Sequence, residues 1–428
     1  MSVLGKATYY GIQRLRDGVT PRMVRRADEL LNRPWSDVAE YVERRLERNY
    51  DCGEACGFEW LASQPVRSKE DYRSTQEATD SKADGASSGR SRRTSGSTGK
   101  PFTFSRGPEM LAWMDAAMWA VYGWYGIEPG DRMARFWGRP LSGLEAFKRS
   151  FADCLLRQRR MNAFEVSTKR SVSFYRKLLD WDPKYAYGYP TLMREFVEHL
   201  RTEGKDGRRL GLEVVITTGE LLDPSTRTSL QEFFGCSVAD EYGCSESGIL
   251  TFECSNGNSH LIPIAAYAEV SGSTPRPDVK GEGSVLVTDL YGEPSPFVRY
   301  SLSDMGEIHP PSPCGCGRDL PRLEVRTGRV DSFIRTPDGE KVYDALLAYS
   351  VPSGVAQFQV RQSAVDRLEG QVVVAEGHEE VEVLTRCRSQ WLRALGADIE
   401  IELEGVDRIE RSDSGKHRYF IPMDDEDG

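Results

Sequence analysis

The sequence predicts an α/β protein with a large N-terminal α/β domain and a small, mobile α+β C-terminal domain. The first observation is length, because 428 residues exceed what one hydrophobic core usually supports. The second is the alternation that starts near Leu212, with a β-rich run, a helix over Pro224–Phe234 and further strands. The third is a change of pattern after Gly328–Asp331, where short strands and one helix follow. We therefore expect domains over residues 1–328 and 329–428.

The start of the chain, residues 1–75, predicts a helical opening. Pro21 suits the first turn of a helix after Thr20, and apolar residues continue at helical spacing to about Arg48, on both sides of a break at Pro34. The segment that follows differs in composition.

Residues 74–100 contain Ser, Thr, Gly, Asp and basic residues with almost nothing apolar, which predicts a loop. The aromatic-rich run over Pro108–Tyr125 predicts a helix, and the core is the usual explanation for such a stripe.

Composition limits the classes of partner and compartment. A net charge of −10 and a pI near 5.3 argue against nucleic acid or an anionic membrane as the partner, so small molecules are expected. Nine cysteines at irregular intervals do not suggest a disulfide framework. With no signal-peptide pattern at the N-terminus and no run of 18 apolar residues, the cytoplasm is the expected location. Whether the protein is a monomer or a homodimer stays open.

The sharpest local signal is TSGSTGKP, at residues 94–101. Glycines let the backbone approach a phosphate closely, hydroxyls add donors and a lysine adds a cation. These groups come from Thr94, Ser95, Gly96, Ser97, Thr98, Gly99 and Lys100. The segment therefore suits a polyphosphate.

Two other interpretations of this segment were weighed. The P-loop of kinases and GTPases is excluded, because Thr94 replaces its first glycine and Pro101 follows the lysine. A plain Ser/Thr/Gly linker stays open on this segment alone.

TSGSTGKP resembles the phosphate loop of the acyl-adenylate-forming superfamily, which includes acyl-CoA synthetases, adenylation domains and luciferases. Further blocks follow in that family's order: TTGE at 217–220, EYGCSE at 241–246, RYSLSD at 299–304, GRVDSFIRTPDGEKVY at 328–343 and SDSGKHR at 412–418. Chance would have to place all of them in sequence. The RYSLSD block departs at one point, since Leu302 and Ser303 stand where the family usually has Thr-Gly.

The resemblance assigns roles to individual residues. It implies that Lys416 is the catalytic lysine, that Glu246 holds Mg²⁺, that Asp304 binds the ribose hydroxyls and that Asp331 is the hinge of the mobile domain. The remaining ATP or AMP contacts that it implies, beside residues 94–100, are Gly219, Glu220, Glu241, Tyr242, Gly243 and Arg329.

A Cys/His set predicts a second site. Cys254, His260, Cys314 and Cys316 would fill a closed tetrahedral Zn²⁺ site, which would be structural because no position is left for water. Buried thiols beside a loop histidine are the alternative from the residues alone. Their placement, with GYP at 188–190 and PVRSKEDYR at 65–73, resembles the phenylacetate-CoA ligase and CapK-like branch of the superfamily, which strengthens the zinc interpretation.

The function that the resemblance implies is ATP-dependent activation of a carboxylic acid to an acyl-AMP with release of pyrophosphate. An aryl acid is suggested by Trp113, Trp137, Tyr187 and Tyr189, although core positions explain these residues equally well. The acyl group would then pass to a thiol, most often that of coenzyme A. Two alternatives stay open: capture of the adenylate by an amine, nitrite or another acceptor, and an inactive zinc-stabilised nucleotide-binding protein.

Overall fold

The computed structural model describes residues 11, 18–73, 90–93, 103–137, 143–162, 167–291, 296–327, 333–338, 341–344, 347–348, 350–395, 398–410 and 418–423. The fold is mixed α/β, with a large sheet and a smaller C-terminal sheet, as the sequence predicted. Within the described helices, none combines the length and the apolar character that crossing a bilayer requires.

The described α-helices are α1 Pro21–Leu31, α2 Trp35–Asn49, α3 Gly57–Ser63, α4 Pro108–Tyr122, α5 Gly143–Leu155, α6 Thr168–Trp181, α7 Pro190–Thr202, α8 Pro224–Phe234 and α9 Glu380–Leu395. Short 3-10 helices lie at Gly123–Tyr125 and Gly207–Leu210.

The described strands are β1 Arg90–Arg93, β2 Thr103–Arg106, β3 Met133–Phe136, β4 Gln158–Met161, β5 Tyr185–Gly188, β6 Val214–Thr218, β7 Ser237–Cys244, β8 Gly248–Glu253, β9 Ser259–Leu261, β10 Ala266–Val270, β11 Gly281–Asp289, β12 Tyr300–His309, β13 Arg322–Thr327, β14 Phe333–Arg335, β15 Lys341–Tyr343, β16 Val355–Ala364, β17 Arg367–Val374, β18 Glu400–Gly405 and β19 Phe420–Ile421.

Helix starts follow the local sequence signals. Thr20 caps α1 by accepting a hydrogen bond from the Met23 amide at 3.3 Å, and Asp223 caps α8 by accepting one from the Thr226 amide at 2.9 Å. The predicted helix after Gly107 is α-helical only to Tyr122 and then tightens into the 3-10 turn. The predicted helical spacing from Pro21 to about Arg48, the break at Pro34 and the helix over 224–234 are confirmed.

The chain forms two compact units, of which the first comprises residues 1–131 and 239–326. Seven of its described strands run in the spatial order β10-β11-β12-β13-β9-β8-β7, and the pairings β10/β11, β11/β12, β13/β9, β9/β8 and β8/β7 are antiparallel. A separate hairpin of β1 and β2 pairs Arg93 with Thr103, so its two strands flank residues 94–102 in sequence.

The second unit comprises residues 132–238 and 327–428. Its strands β6, β5, β3 and β4 are neighbours in that order and are all parallel, and they carry a core with α6, α7 and α8. The smaller sheet, in the order β18-β17-β16-β19, packs on α9 around Trp391, which is fully buried. Since the compact units do not test where the functional domains divide, the boundary at residue 328 stays a prediction.

Candidate active site and metal centre

Within the first unit, two predicted ligand residues lie on different strands and touch. Tyr242 is on β7 and Asp304 is on β12, and the tyrosine hydroxyl donates to Asp304 Oδ2 at 2.7 Å. Gly243 follows at a register shift between β7 and β8, where an added Cβ would lie 2.3 Å from the Gly248 carbonyl oxygen. A side chain at position 243 would therefore push apart the two strands that present Tyr242.

The predicted magnesium ligand, Glu246, lies in the turn from β7 to β8 and is only 7% exposed. Its Oε2 accepts a hydrogen bond from Ser245 Oγ at 3.0 Å, and Tyr300 lies close enough for the carboxylate to affect its pKa. Burial, with Glu246 close by, raises the pKa of Tyr300, and burial with Asp304 raises the pKa of Tyr242. Both phenols therefore stay protonated and remain donors.

The chemistry at Glu246 fits Mg²⁺. Glu246 supplies a buried carboxylate beside a hydroxyl donor, and Mg²⁺ is usually bound by one or two carboxylates together with substrate phosphates. Glu246 thus suits a metal that arrives with a nucleotide.

The third predicted residue on β7, Glu241, has a partner that sequence reasoning missed. The hydroxyl of Tyr122, at the end of α4, donates to Glu241 Oε2 at 2.7 Å. Tyr122 is 2% exposed, so the core stripe of α4 also carries a polar contact to the candidate site. Its aromatic neighbours in the sequence gave no sign of this role.

Ser303, directly before Asp304, has a φ of 62°. This left-handed backbone favours glycine, and Ser303 occupies the position where the family usually has one. The backbone at Ser303 therefore has the conformation that a glycine would favour, although the sequence places a serine there.

The second unit holds the other predicted described residues, Gly219 and Glu220. Gly219 has a φ of 78°, which suits glycine, directly after β6. The Glu220 carboxylate accepts hydrogen bonds from Thr191 Oγ1 at 2.6 Å and from the Thr191 amide at 3.3 Å, at the start of α7. Glu220 therefore fixes the turn against α7, which favours a structural contribution.

Aromatic residues gather where β3 and β5 end, also in the second unit. Trp137 stacks on Tyr189 with ring centroids 4.1 Å apart and on Tyr187 at 5.9 Å, and the Arg135 guanidinium lies 5.4 Å from the Tyr187 ring. The carboxyl ends of parallel strands are the usual ligand-binding edge of such a sheet. Trp113 is different, because it stacks on Tyr291 in the first unit.

The four predicted zinc ligands come together in the first unit. The side-chain atoms of Cys254, His260, Cys314 and Cys316 that could bind a metal all lie within 4.8 Å of one another. The Cys254 and Cys314 sulfurs are 3.8 Å apart, and Cys316 Sγ is 3.4 Å from His260 Nε2. A tetrahedral zinc with ordinary bond lengths requires about 3.8 Å between two sulfurs and about 3.6 Å from sulfur to nitrogen. The residues present therefore fit zinc.

Two turns of the same design carry the first cysteine of each pair. The Cys254 amide donates to the Asn258 carbonyl at 3.0 Å, and the Cys314 amide donates to the Arg318 carbonyl at 3.0 Å. In each turn the residue three positions after the cysteine is a glycine with positive φ, 76° at Gly257 and 85° at Gly317. The sequence alone does not reveal this repeat, because the shared turn is a property of the backbone.

His260 is prepared as a neutral ligand. It is fully buried, burial lowers its pKa, and its Nδ1 lies 3.3 Å from the Leu320 carbonyl oxygen. A proton on Nδ1 donated to that carbonyl leaves the Nε2 lone pair facing Cys316.

Several predicted residues lie outside the described residues. They are the phosphate loop of Thr94, Ser95, Gly96, Ser97, Thr98, Gly99 and Lys100, together with Arg329, Asp331 and Lys416. Their roles stay predictions.

The comparisons with known proteins agree with this architecture. The sequence profile of the CapK C-terminal domain family matches residues 334–422. Protein CapK of Staphylococcus aureus is 19% identical over 334 residues, which cover 77% of this chain and 73% of that protein. A solved 2-hydroxyisobutyryl-CoA ligase in complex with 2-HIB-AMP, in its postadenylation state, superposes with a TM-score of 0.69 at 22% identity, covering 94% of this chain and 89% of that one.

A second solved structure, the anthranilate CoA ligase AuaEII in complex with anthranoyl-AMP, has a TM-score of 0.56 at 12% identity, and the match covers 76% of this chain and 65% of that one. The fold is therefore that of the acyl-adenylate-forming enzymes. The chain is also similar to CapK, over residues 334–422 and in its overall sequence, which is the branch that its motifs resemble.

Proposed function

We propose that this protein activates a carboxylic acid with ATP to an acyl-AMP, releases pyrophosphate, and transfers the acyl group to the thiol of coenzyme A. The observation that carries the proposal is the joining of Tyr242 and Asp304 beside the buried Glu246. The fold supports it, because proteins of this fold have been solved with acyl-AMP bound.

A carboxylate has to be activated before its acyl group can be transferred. Its oxygen is a poor leaving group, so a carboxylate oxygen attacks the α-phosphorus of ATP while the bond to the pyrophosphate oxygen breaks. Negative charge accumulates on phosphate oxygens, and stabilising that charge is the main catalytic task. Mg²⁺ held by Glu246 would neutralise part of it.

Other side chains of this protein would position the nucleotide and contact its phosphates. Asp304, oriented by Tyr242, would accept hydrogen bonds from the ribose hydroxyls and so fix the α-phosphate relative to the acid. Lys416 and the loop over residues 94–100 would contact the phosphates, as the resemblance implies. In the second half-reaction the thiol would lose its proton to solvent, its sulfur would attack the acyl carbon, and AMP would leave with the electron pair of the broken acyl–oxygen bond.

We propose an aryl acid as the substrate class. Trp137 and Tyr187, with Arg135 beside them, form an aromatic surface at the end of parallel strands, and flat rings of this kind suit a planar acid.

We propose that Cys254, His260, Cys314 and Cys316 hold a structural Zn²⁺. All four positions of a tetrahedron are filled by protein atoms, so the metal would link the turn after β8 to the turn before β13 and would take no part in the reaction.

The direct test is pyrophosphate release with ATP, Mg²⁺ and a panel of aryl and small aliphatic acids, each with and without coenzyme A. Pyrophosphate release with an aryl acid and a CoA-dependent thioester are expected. Lys416→Ala and Glu246→Gln should abolish release, whereas Glu282→Gln, which removes an exposed carboxylate on β11, should not. Pyrophosphate release without any thioester would instead favour an amine, nitrite or other acceptor, and binding of nucleotide without release would favour an inactive protein.

A further inference from the structure

A buried ion pair lies behind Glu246 in the first unit. Arg106 is 1% exposed and Asp289 is 0% exposed, and Arg106 Nη1 lies 2.9 Å from Asp289 Oδ2. The guanidinium carbon is 4.4 Å from the centroid of the Phe297 ring and 5.0 Å from that of Phe104. Removing two charges from water costs free energy that their attraction does not reliably return, so stability alone is a weak reason for such a pair.

The pair is bonded to the chain on both sides of the Glu246 side chain. Arg106 Nε donates to the Glu246 carbonyl oxygen at 2.6 Å, and Asp289 Oδ1 accepts from Ser247 Oγ at 2.8 Å. A third contact, from the Ser247 amide to Cys244 Sγ at 3.4 Å, closes the turn. The backbone that carries the carboxylate is thus fixed from two directions by one ion pair.

The same arginine ends the strand that follows the phosphate loop. Arg106 is the last residue of β2 and pairs with Arg90, the first residue of β1. At the other end of the hairpin, Arg93 pairs with Thr103. These two strands flank residues 94–102 in sequence. Arg106 therefore connects β2 with the turn that carries Glu246.

Asp289 adds a further connection. Its Oδ2 also accepts a hydrogen bond from the Phe297 amide at 2.8 Å, and its own carbonyl oxygen accepts one from the Tyr50 hydroxyl at 2.7 Å. With four partners on one residue, Asp289 has little freedom to move. It gives Arg106 a fixed point from which to hold Glu246.

We propose that Arg106 and Asp289 are positioning residues that set the orientation of Glu246 toward Mg²⁺ and so determine how tightly the metal is bound. This inference rests on the proposed function, since it takes Glu246 as the metal ligand. In this proposal neither Arg106 nor Asp289 touches the reacting atoms. An arginine is required because its planar fork donates in two fixed directions at once, to a carbonyl and to a carboxylate, which a lysine ammonium does not reproduce.

The test compares Arg106→Lys and Asp289→Asn with the wild type. At saturating ATP and acid, the Mg²⁺ concentration that gives half-maximal pyrophosphate release should rise about tenfold or more, the usual effect of losing an outer-shell partner of a metal ligand. Mn²⁺ binding to the protein with ATP, followed by electron paramagnetic resonance, should weaken by the same factor. Leu46→Ala in α2 is the control: it lowers stability through a core cavity and should leave both metal readouts within about twofold.

Ser247→Ala covers the case in which the charge variants do not fold. This variant keeps the ion pair and removes only the hydroxyl that donates a hydrogen bond to Asp289. It should therefore raise the Mg²⁺ requirement by a smaller factor than the charge variants do. Variants that fold and show an unchanged Mg²⁺ requirement and unchanged Mn²⁺ affinity would reduce the pair to a structural role and overturn the inference. If the wild type releases no pyrophosphate with any acid, the proposed function fails, and the Mn²⁺ affinities still decide the inference separately.

Discussion

Tyr242 and Asp304 are joined by a 2.7 Å hydrogen bond between strands β7 and β12. Because the pKa of Tyr242 is raised by burial and then by Asp304, the phenol keeps its proton and donates the hydrogen bond that the carboxylate accepts. The contact therefore fixes the orientation of the Asp304 carboxylate.

Tyr242→Phe should raise the KM for ATP about tenfold with a smaller effect on kcat, since a hydrogen bond to a charged group contributes on the order of 1.5 to 3 kcal/mol. Asp304→Asn should lower the preference for ATP over 2′,3′-dideoxy-ATP toward one, because the lost charge is the one that would face the ribose hydroxyls. Steady-state kinetics with both nucleotides provides the measurement.

Tyr175→Phe is the matched control, since its hydroxyl donates to the Asp206 carbonyl in the second unit. A KM for ATP that stays unchanged in Tyr242→Phe would contradict the orienting role.

The sequence could identify Tyr242, Asp304 and Glu246 as candidate site residues because they lie in motifs that occur in a recognisable order along the chain. It could not predict Tyr122, since a tyrosine in an apolar helix looks like core whether or not its hydroxyl reaches Glu241. The position of Arg106 behind Glu246 could not be predicted from the sequence either. Its role depends on which strands fold beside it, and that information is not local.

The candidate zinc ligands show the same division. The sequence identifies the four residue types, whereas the short distances between their ligand atoms and the two glycine turns are visible only in the structure.

Cys316→Ser and His260→Ala should each lose the zinc, one metal per chain in the wild type, and should lower the melting temperature. Structural zinc stabilises the folded state by its binding free energy, so chelator should lower the melting temperature of the wild type but not of the variants. Elemental analysis of purified protein with thermal unfolding measures both. Cys52→Ser should keep the metal, because the Cys52 sulfur donates to the Leu46 and Tyr50 carbonyl oxygens and is not part of the zinc set. Wild-type protein that contains no zinc and ignores the chelator would eliminate the site.

Ser303→Gly should stabilise the protein by about 0.5 kcal/mol. A left-handed φ costs a side-chain-bearing residue about 1 to 2 kcal/mol, and the greater freedom of glycine in the unfolded chain returns part of that gain. Urea unfolding provides the measurement.

Ser237→Gly, an exposed serine at the start of β7 without a positive φ, should instead lower stability. If both glycine variants lose stability equally, the backbone at position 303 is not strained.

Glu269 predicts the pH dependence of stability. Burial raises its pKa from 4.5 to about 7, although Arg299, 2.5 Å away, opposes the shift. Below about pH 4.5 the carboxyl is protonated in the folded and unfolded states and makes no difference. Between about 4.5 and 7 the folded state holds a proton that the unfolded state has released, so stability falls as pH rises, by about 3 kcal/mol over the window.

Glu269→Gln cannot ionise, so the fall in unfolding free energy between pH 4.5 and 7 should be smaller in this variant by most of that amount, even if its stability is lower throughout because Arg299 loses its partner. Glu282→Gln removes an equal charge from the surface and should keep the wild-type slope. Urea unfolding at half-unit pH steps measures the slopes. Parallel curves for wild type and Glu269→Gln would mean that Arg299 holds the carboxylate ionised throughout, and the ion pair would then outweigh burial at this position.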